Sequence, residues 1–352
     1  MTVAANRWHA EPGRFTQLDA LRFFFALVVV LVHTIGFKLT LIRGGFAVDF
    51  FFVLSGFVLS HALISRPMSA SAFLWARFAR LYPLHLATLI WLVCLVGGLA
   101  PIAVPEYSSM ALALNLGLLQ GLGILEVQTW NFPSWSINVE FLVNVLILYP
   151  IVRMRGIAAA TVLVLLSALA ILSAWGPGFD QFHVQKVYGT VLSGGLLRGT
   201  VGILLGYLLY EAHLFVGPRL DVGRYGIPAT FFEVMAIVML AFCMWTDDLR
   251  WNLLPAPLGA LLVLQMATVP GRLSKILQSR LFSALGNMSY SIYLIHVPLF
   301  LSFIGAGILP MPDTRFSPLW FAYFALLLIL AAASFRYVER PAQRRLIRAF
   351  SA

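Results

Sequence analysis

The sequence predicts an all-α, polytopic integral-membrane protein in which about ten transmembrane helices form one bundle. Three observations carry this prediction. The composition is apolar: 61% of the 352 residues are hydrophobic, 11% are charged, and the mean hydropathy is +0.89. Apolar runs of about 20 residues recur, each long enough to cross a hydrocarbon core of about 30 Å. No polar stretch is long enough for a separate soluble domain, so we predict a single membrane domain over residues 1–352.

Apolar runs and the residues that interrupt them place the predicted spans along the chain. They lie near 18–37, 45–64, 81–100, 138–152, 157–175, 191–212, 226–245, 253–270, 287–308 and 318–336. A further apolar segment, 109–127, contains Asn115, Gln120 and three glycines, so it is a doubtful span.

The distribution of Lys and Arg residues decides between two topologies, one in which 109–127 crosses the membrane and one in which it does not. If 109–127 does not cross and the N-terminus is cytoplasmic, most of the 24 Lys and Arg residues lie inside; if it crosses, the bias reverses. Because cytoplasmic loops carry the excess of cations, we predict that both termini are cytoplasmic. Residues 1–17 are then a cytoplasmic segment, 101–137 an outer loop with an interfacial or re-entrant piece, and 337–352 a basic tail at the lipid headgroups. This distribution accounts for the net charge of +10 without a nucleic-acid partner.

The first span, LDALRFFFALVVVLVHT, carries two side chains that are costly in a membrane. Arg22 and His33 are 11 residues apart, almost three helical turns, so they share a face and are about 16 Å apart along the axis. We predict a functional role for His33 in the outer half of the bilayer. The alternatives are that Arg22 snorkels to the headgroups and that His33 is a satisfied core histidine. Asp19 is predicted to pair with Arg22.

The next segments add polar groups that need partners. Asp49 lies just inside the second span and should pair with a cation or a histidine. Ser55 and Gly56 form a small patch typical of close helix packing. Arg77 and Arg80 lie three apart, on what we predict to be a short cytoplasmic helix. They either form a fork for phosphate groups or simply follow the positive-inside bias.

Glu140 enters an apolar run shortly after Trp135, which suits a membrane interface. It needs a partner from another helix, and a Glu140–His33 pair would orient the imidazole. Arg198 lies in a helix of small residues and is predicted to face a bound phosphate or a buried acid. Ser289, Tyr293 and His296 share one face of a late span, as a structural network or as part of a site. We find no metal-ligand cluster and no nucleotide-binding glycine motif in the sequence.

Together these stretches resemble acyltransferase family 3, the bacterial integral-membrane acyltransferases, in order over nearly the whole chain. The matching patterns are Arg22 with His33 (arginine, ten residues, histidine), Gly45 to Phe57 (FF-x-x-SGF), Arg77 with Arg80 (R-x-x-R), Trp135 and Ser136 with Glu140 (WS-x-x-x-E), and SYSIYLIH near residue 290.

The resemblance implies transfer of an acyl group, commonly acetyl from acetyl-CoA, to a hydroxyl of a saccharide, a glycolipid or a related acceptor. It implies a bacterial cytoplasmic (inner) membrane protein that takes acetyl-CoA or another acyl-CoA from the cytoplasmic side. Some relatives continue into an SGNH-type esterase domain, and we expect the stand-alone form here.

On this hypothesis His33 is the general base, and an acyl-histidine intermediate is the less favoured variant. Glu140, or alternatively Asp19 or Asp49, would hold its imidazole. The expected donor-binding residues are Arg22, Arg77, Arg80 and Arg198. The expected substrate-binding residues are Asp49, Ser55, Trp135, Ser136, Tyr293 and His296.

Two other function classes fit the same residues. In a transporter or flippase, the buried Arg, His and Glu groups would form a substrate or proton path, although the two halves show no repeat symmetry. A non-catalytic subunit of a glycan-synthesis assembly would tolerate loss of His33. Release of free thiol from an acyl-CoA separates the enzyme from both.

Overall fold

The structure, a computed structural model, describes residues 14–34, 45–98, 105–125, 127–173, 192–220, 226–245, 254–309 and 318–351. The long elements in these ranges are helices. They are α1 (Thr16–Thr34), α2 (Gly45–Ser65), α3 (Ala70–Gly98), α4 (Ser109–Leu116), α5 (Trp135–Val143, continued by a π-helix, Asn144–Leu148, and by Tyr149–Arg153), α6 (Ile157–Ser173), α7 (Gly194–Val216), α8 (Gly226–Trp245), α9 (Pro255–Thr268), α10 (Arg272–Leu277), α11 (Arg280–Asn287), α12 (Ser289–Gly305), α13 (Pro318–Ser334, continued by a π-helix, Phe335–Glu339) and α14 (Arg340–Ser351).

Each predicted span coincides with a helix, and the chain is a multi-pass membrane protein. Within the described ranges, seven helices are long and apolar enough to cross a membrane on their own. α11 and α12 meet that test together as a pair bent by 50°, and α6 and α9 are apolar but shorter. The doubtful segment forms α4, which has only eight residues and is therefore about 12 Å long. Of the predicted loops and tail, residues 1–13, 101–104, 126 and 352 lie outside the described residues.

Two helices extend well beyond the apolar runs that predicted them. The predicted separate helix for Arg77 and Arg80 is wrong, because both lie on α3, a continuous helix of 29 residues that includes Pro83. The basic tail forms α14, which packs on α3 and stacks Phe350 on Trp75 at 3.4 Å between ring centroids. Amphipathic sequence continues each helix past the hydrocarbon core, since its charged side chains can face water and headgroups.

Helices α2 and α7 pack in backbone contact, and glycines make this approach possible. A Cβ atom on Gly56 would overlap the carbonyl oxygen of Ile203, and one on Gly206 would overlap the carbonyl oxygen of Val53. Small residues let membrane helices approach to backbone contact, where dispersion forces and weak hydrogen bonds act. This contact fixes the position of α2, which carries Asp49 and Ser55.

A buried carboxylate organises the region between α8 and α10. Glu233 on α8 is fully buried. It accepts hydrogen bonds from the backbone of Gly271 (2.8 Å) and Leu273 (3.1 Å) and from the Ser274 hydroxyl (2.5 Å). These donors lie at the start of α10, whose first N–H groups have no intrahelical acceptor. Glu233 therefore has a structural role.

The lipid-facing side of the bundle is formed mainly by α6, α8 and α13. Large apolar side chains are exposed there, including Leu169 on α6, Phe231 on α8, and Phe321 and Ile329 on α13. The packed core lies mainly along α1, α2, α5, α7 and α12, and α13 joins it through the buried Trp320, Tyr323 and Leu327. The polar residues of interest all lie on or beside these core helices.

Candidate active site

A cleft of about 160 Å³ opens between α1, α2, α3, α5 and α12. Its walls combine aliphatic and aromatic side chains with a concentrated set of polar groups. The polar lining consists of Arg22, Ser55, Arg77, Arg80, Ser136, Glu140, Ser289, Tyr290 and Tyr293. Seven of these nine residues were predicted as site residues from the sequence, and the structure brings them to one place.

Glu140 pairs with Arg77, so the predicted Glu140–His33 pair is wrong. The Glu140 carboxylate accepts a hydrogen bond from Arg77 Nη2 at 2.5 Å and one from the Ser55 hydroxyl at 2.8 Å. Asn144, in the π-helix that follows, donates to the same hydroxyl at 3.2 Å. The greater length of α3 brings Arg77 beside α5, and a guanidinium compensates a desolvated carboxylate better than a neutral imidazole does.

Arg80 has its own carboxylate, Glu339, which the sequence analysis missed. Glu339 is 1% exposed, forms an ion pair with Arg80, and accepts a hydrogen bond from Ser291 at 2.9 Å. The Arg80 guanidinium also lies 5.2 Å from the centroid of the Tyr290 ring. The available signal was a single acid among the arginines after the last span, a segment that we had assigned to a basic tail at the lipid headgroups.

Arg22, the third arginine of the cleft, is held from its own helix. Asp19 accepts hydrogen bonds from Arg22 at 3.4 Å and from Arg14 at 2.7 Å. The predicted Asp19–Arg22 pair is confirmed, and the alternative in which Asp19 holds His33 is wrong. The Arg22 side chain is 27% exposed, compared with 13% for Arg77.

Asp49 and Arg198 bind each other rather than lining the cleft. The Arg198 guanidinium donates through Nε and Nη2 to the two carboxylate oxygens of Asp49, at 3.0 and 3.1 Å. The Trp135 ring lies 5.7 Å from the same guanidinium. The prediction that Asp49 needs a cation is confirmed. Neither residue lies where it could hold His33, so that alternative for Asp49 is also wrong.

We expect loss of one partner of this pair to destabilise the bundle more than loss of both. The two side chains are 9% and 15% exposed, and an unpaired charge at such a site costs about 3–5 kcal/mol. Asp49→Leu should lower the thermal midpoint in detergent sharply, whereas Asp49→Leu/Arg198→Leu should recover most of the loss. A double variant as unstable as the single one would show that the pair is not the source of the effect.

His33 contacts a second histidine. Its Nδ1 lies 3.0 Å from Nε2 of His296, and the two rings are nearly parallel. The His296 Nδ1 binds the backbone carbonyl of Tyr293 at 2.7 Å. Phe132, just before α5, places its ring edge-on against His33 at 4.9 Å. Among the described residues, this partner takes the place of the carboxylate that we had predicted for His33.

Tyr293 separates the histidine pair from the cleft. Its hydroxyl lies 2.7 Å from the Ser136 hydroxyl, and both residues line the cleft. Its backbone carbonyl binds His296 on the far side, and neither histidine lines the cleft. The arrangement is therefore a cationic cleft that ends at a Tyr–Ser contact, with two histidines directly behind it.

Comparisons with known proteins find relatives of this chain by sequence. No solved structure matches the chain. The chain is 28% identical over 335 residues to the acyltransferase MdmB of Streptomyces mycarofaciens, covering 80% of this chain and 78% of that protein. It is 34% identical over 183 residues to protein 2 of the picA locus of Rhizobium radiobacter, covering 46% and 95%. It is 23% identical over 377 residues to the O-acetyltransferase OatA of Staphylococcus aureus, covering 97% of this chain and 59% of OatA.

The family match extends over almost all of the described helices. The sequence pattern described as an acyltransferase domain matches residues 15–336, from the start of α1 into the π-helix after α13. The match includes the histidine pair and every cleft residue, and it stops just before Glu339. The chain thus belongs to acyltransferase family 3 and is a membrane acyltransferase.

Proposed function

We propose that the chain is a membrane-bound O-acyltransferase of the bacterial cytoplasmic membrane that transfers acetyl from acetyl-CoA to a hydroxyl of a saccharide or related envelope acceptor. The observation that carries the proposal is the cleft with three arginines that ends beside the histidine pair. The name of OatA, an O-acetyltransferase, supports acetyl as the transferred group. Family membership favours an enzyme over the transporter and the non-catalytic subunit.

The arginines fit the donor. The nucleotide end of CoA carries phosphates, and guanidinium groups bind phosphate oxygens in a planar, two-pronged geometry. Arg77 and Arg80 are already oriented by Glu140 and Glu339, so they lose little side-chain entropy on binding. The cleft is smaller than the roughly 300–1,000 Å³ of a pocket for a whole small ligand. The cleft would therefore hold the part of the donor that adjoins its phosphates. The rest of the nucleotide would remain at the cytoplasmic surface.

The reaction needs a base near the thioester. In our proposal His33 takes the proton of the acceptor hydroxyl as its oxygen attacks the thioester carbonyl. The C–S bond then breaks, and CoA leaves as a thiolate that takes the proton from the His33 imidazolium, which returns His33 to its neutral form. General-base catalysis of this kind contributes about 10²–10⁴-fold. The thioester would reach His33 past Tyr293, at the end of the cleft.

The donor site is tested by acetyl-CoA binding to the purified protein in detergent. We expect Arg22→Gln, and separately Arg77→Gln/Glu140→Gln, to weaken binding about 10-fold or more, because each removes a hydrogen bond from a charged donor worth about 1.5–3 kcal/mol. The double variant removes both charges of a buried pair, so it leaves no unpaired carboxylate. Release of free thiol in the presence of envelope glycans then separates the enzyme from a transporter.

Arg66→Gln is the matched control. Arg66 is exposed, just after the end of α2, and does not line the cleft. Its loss changes the net charge by the same amount as Arg22→Gln but should leave acetyl-CoA affinity unchanged. Equal weakening by Arg66→Gln and Arg22→Gln would indicate a diffuse electrostatic effect and would contradict a donor site in the cleft.

A further inference from the structure

We propose that His296 is the positioning residue for His33, and that it acts by fixing which ring nitrogen of His33 carries the proton. The catalytic consequence rests on the proposed function, since it requires His33 to be the base. The proton arrangement itself follows from hydrogen bonds alone and can be tested without any assay of activity.

The assignment starts at the backbone carbonyl of Tyr293. A carbonyl oxygen only accepts hydrogen bonds, so the Nδ1 of His296, 2.7 Å away, must carry a proton. In a neutral imidazole the other nitrogen is then an acceptor. His296 Nε2 therefore accepts a hydrogen bond from Nδ1 of His33, 3.0 Å away. His33 is left with its proton on Nδ1 and its lone pair on Nε2.

The reverse arrangement would require a positively charged His296. Its Nε2 would then donate to His33 Nδ1, and the proton of His33 would move to Nε2. The His296 ring is fully buried, and within the described part of the chain no carboxylate contacts it. An uncompensated charge at such a place is strongly disfavoured. The neutral arrangement is therefore the one that the surroundings of His296 support.

Two further contacts hold the pair in place. The Tyr323 hydroxyl donates to the backbone carbonyl of His296 at 2.9 Å, which fixes α12 against α13 at this level. Phe132 packs edge-on against the His33 ring. The orientation of His33 is thus set by groups from the segment just before α5 and from α12.

His296 has the role that a carboxylate has beside other catalytic histidines, because it accepts the hydrogen bond from Nδ1 of the base. When His33 takes a proton on Nε2 it becomes an imidazolium, and its Nδ1–H bond to His296 becomes charge-assisted and stronger. The partner stays neutral, so no buried negative charge is needed in the outer half of the membrane. Glu140 is consequently left to hold Arg77.

The test is ¹⁵N NMR of protein labelled at the histidine ring nitrogens, with the His33 signals assigned by their loss in His33→Asn. We expect a protonated Nδ1 and an unprotonated Nε2 for His33 in the wild type. His296→Gln keeps an acceptor for the Nδ1 proton and should preserve this signature. His296→Leu removes the acceptor and should abolish the signature.

Acyl transfer is measured on the same variants. We expect His296→Leu to lose on the order of 10²-fold in kcat with donor affinity unchanged, and His296→Gln to recover part of the rate. A wild-type His33 protonated on Nε2 would overturn the inference even in an active enzyme. The expected signature in a protein that binds no acyl-CoA would instead overturn the proposed function and leave the proton assignment standing.

Discussion

His33→Ala is expected to reduce acyl transfer by about 10²–10⁴-fold, the usual contribution of a general base, while acetyl-CoA binding stays near the wild-type level. Binding is expected to survive the loss of acyl transfer because His33 does not line the cleft that holds the three arginines. The His33 ring is also only partly buried, so its loss removes little of the packed core. Free-thiol release and donor affinity, measured on one detergent preparation, give the two quantities.

His61→Ala is the control for this variant. His61 lies on α2, is also partly buried, and is bonded to the Tyr210 hydroxyl at 3.0 Å, away from the cleft. It should keep its catalytic rate. If His33→Ala transferred acyl groups as fast as wild type, the role of His33 as the base would be excluded, although the cleft could still be the donor site.

Gly206→Ala should be severely destabilising, by about 3 kcal/mol or more, which is at the upper end of overpacking effects. The new methyl group would overlap the carbonyl oxygen of Val53 and the amide nitrogen of Phe57. Because both are backbone atoms, no rotamer change can make room, and α2 would have to move away from α7. The thermal midpoint and the monodisperse fraction in size-exclusion chromatography would both fall.

Gly97→Ala is the matched change at an open position. A Cβ atom on Gly97 would have no neighbour within 4 Å, and alanine favours a helix over glycine by about 1 kcal/mol. We expect unchanged or slightly higher stability. Equal stability of the two variants would mean that α2 and α7 do not approach to backbone contact.

The fold was predictable because membrane spans are encoded locally. Each apolar run must be long enough to cross the bilayer and must form its own backbone hydrogen bonds. The ends of the helices were less predictable, since an amphipathic continuation such as the one before Pro83 carries no apolar signal. The helix that holds Arg77 is consequently longer than the run that identified it.

The identity of the site residues was more predictable than their partners. A buried charge demands compensation, so the need of Asp49 for a cation could be inferred from one span. Depth along a helix could also be estimated from the rise per residue. Which faces meet depends on the rotation of each helix about its axis, and that is set by packing. His33 and Glu140 were placed at similar depth, but the structure turns His33 toward α12 and Glu140 toward α3.

The carboxylates paired with Arg77 and Arg80 of the cleft each adjoin a π-helix. Glu140 lies one turn before Asn144–Leu148, and Glu339 is the last residue of Phe335–Glu339. A π-turn accommodates one residue more than an α-turn, whereas one extra residue in a regular α-helix rotates everything beyond it by about 100°. Proteins with this architecture can therefore differ by one residue in these two turns and still present the same side chains on either side. When their sequences are aligned, a single-residue gap inside these two helices is structurally reasonable.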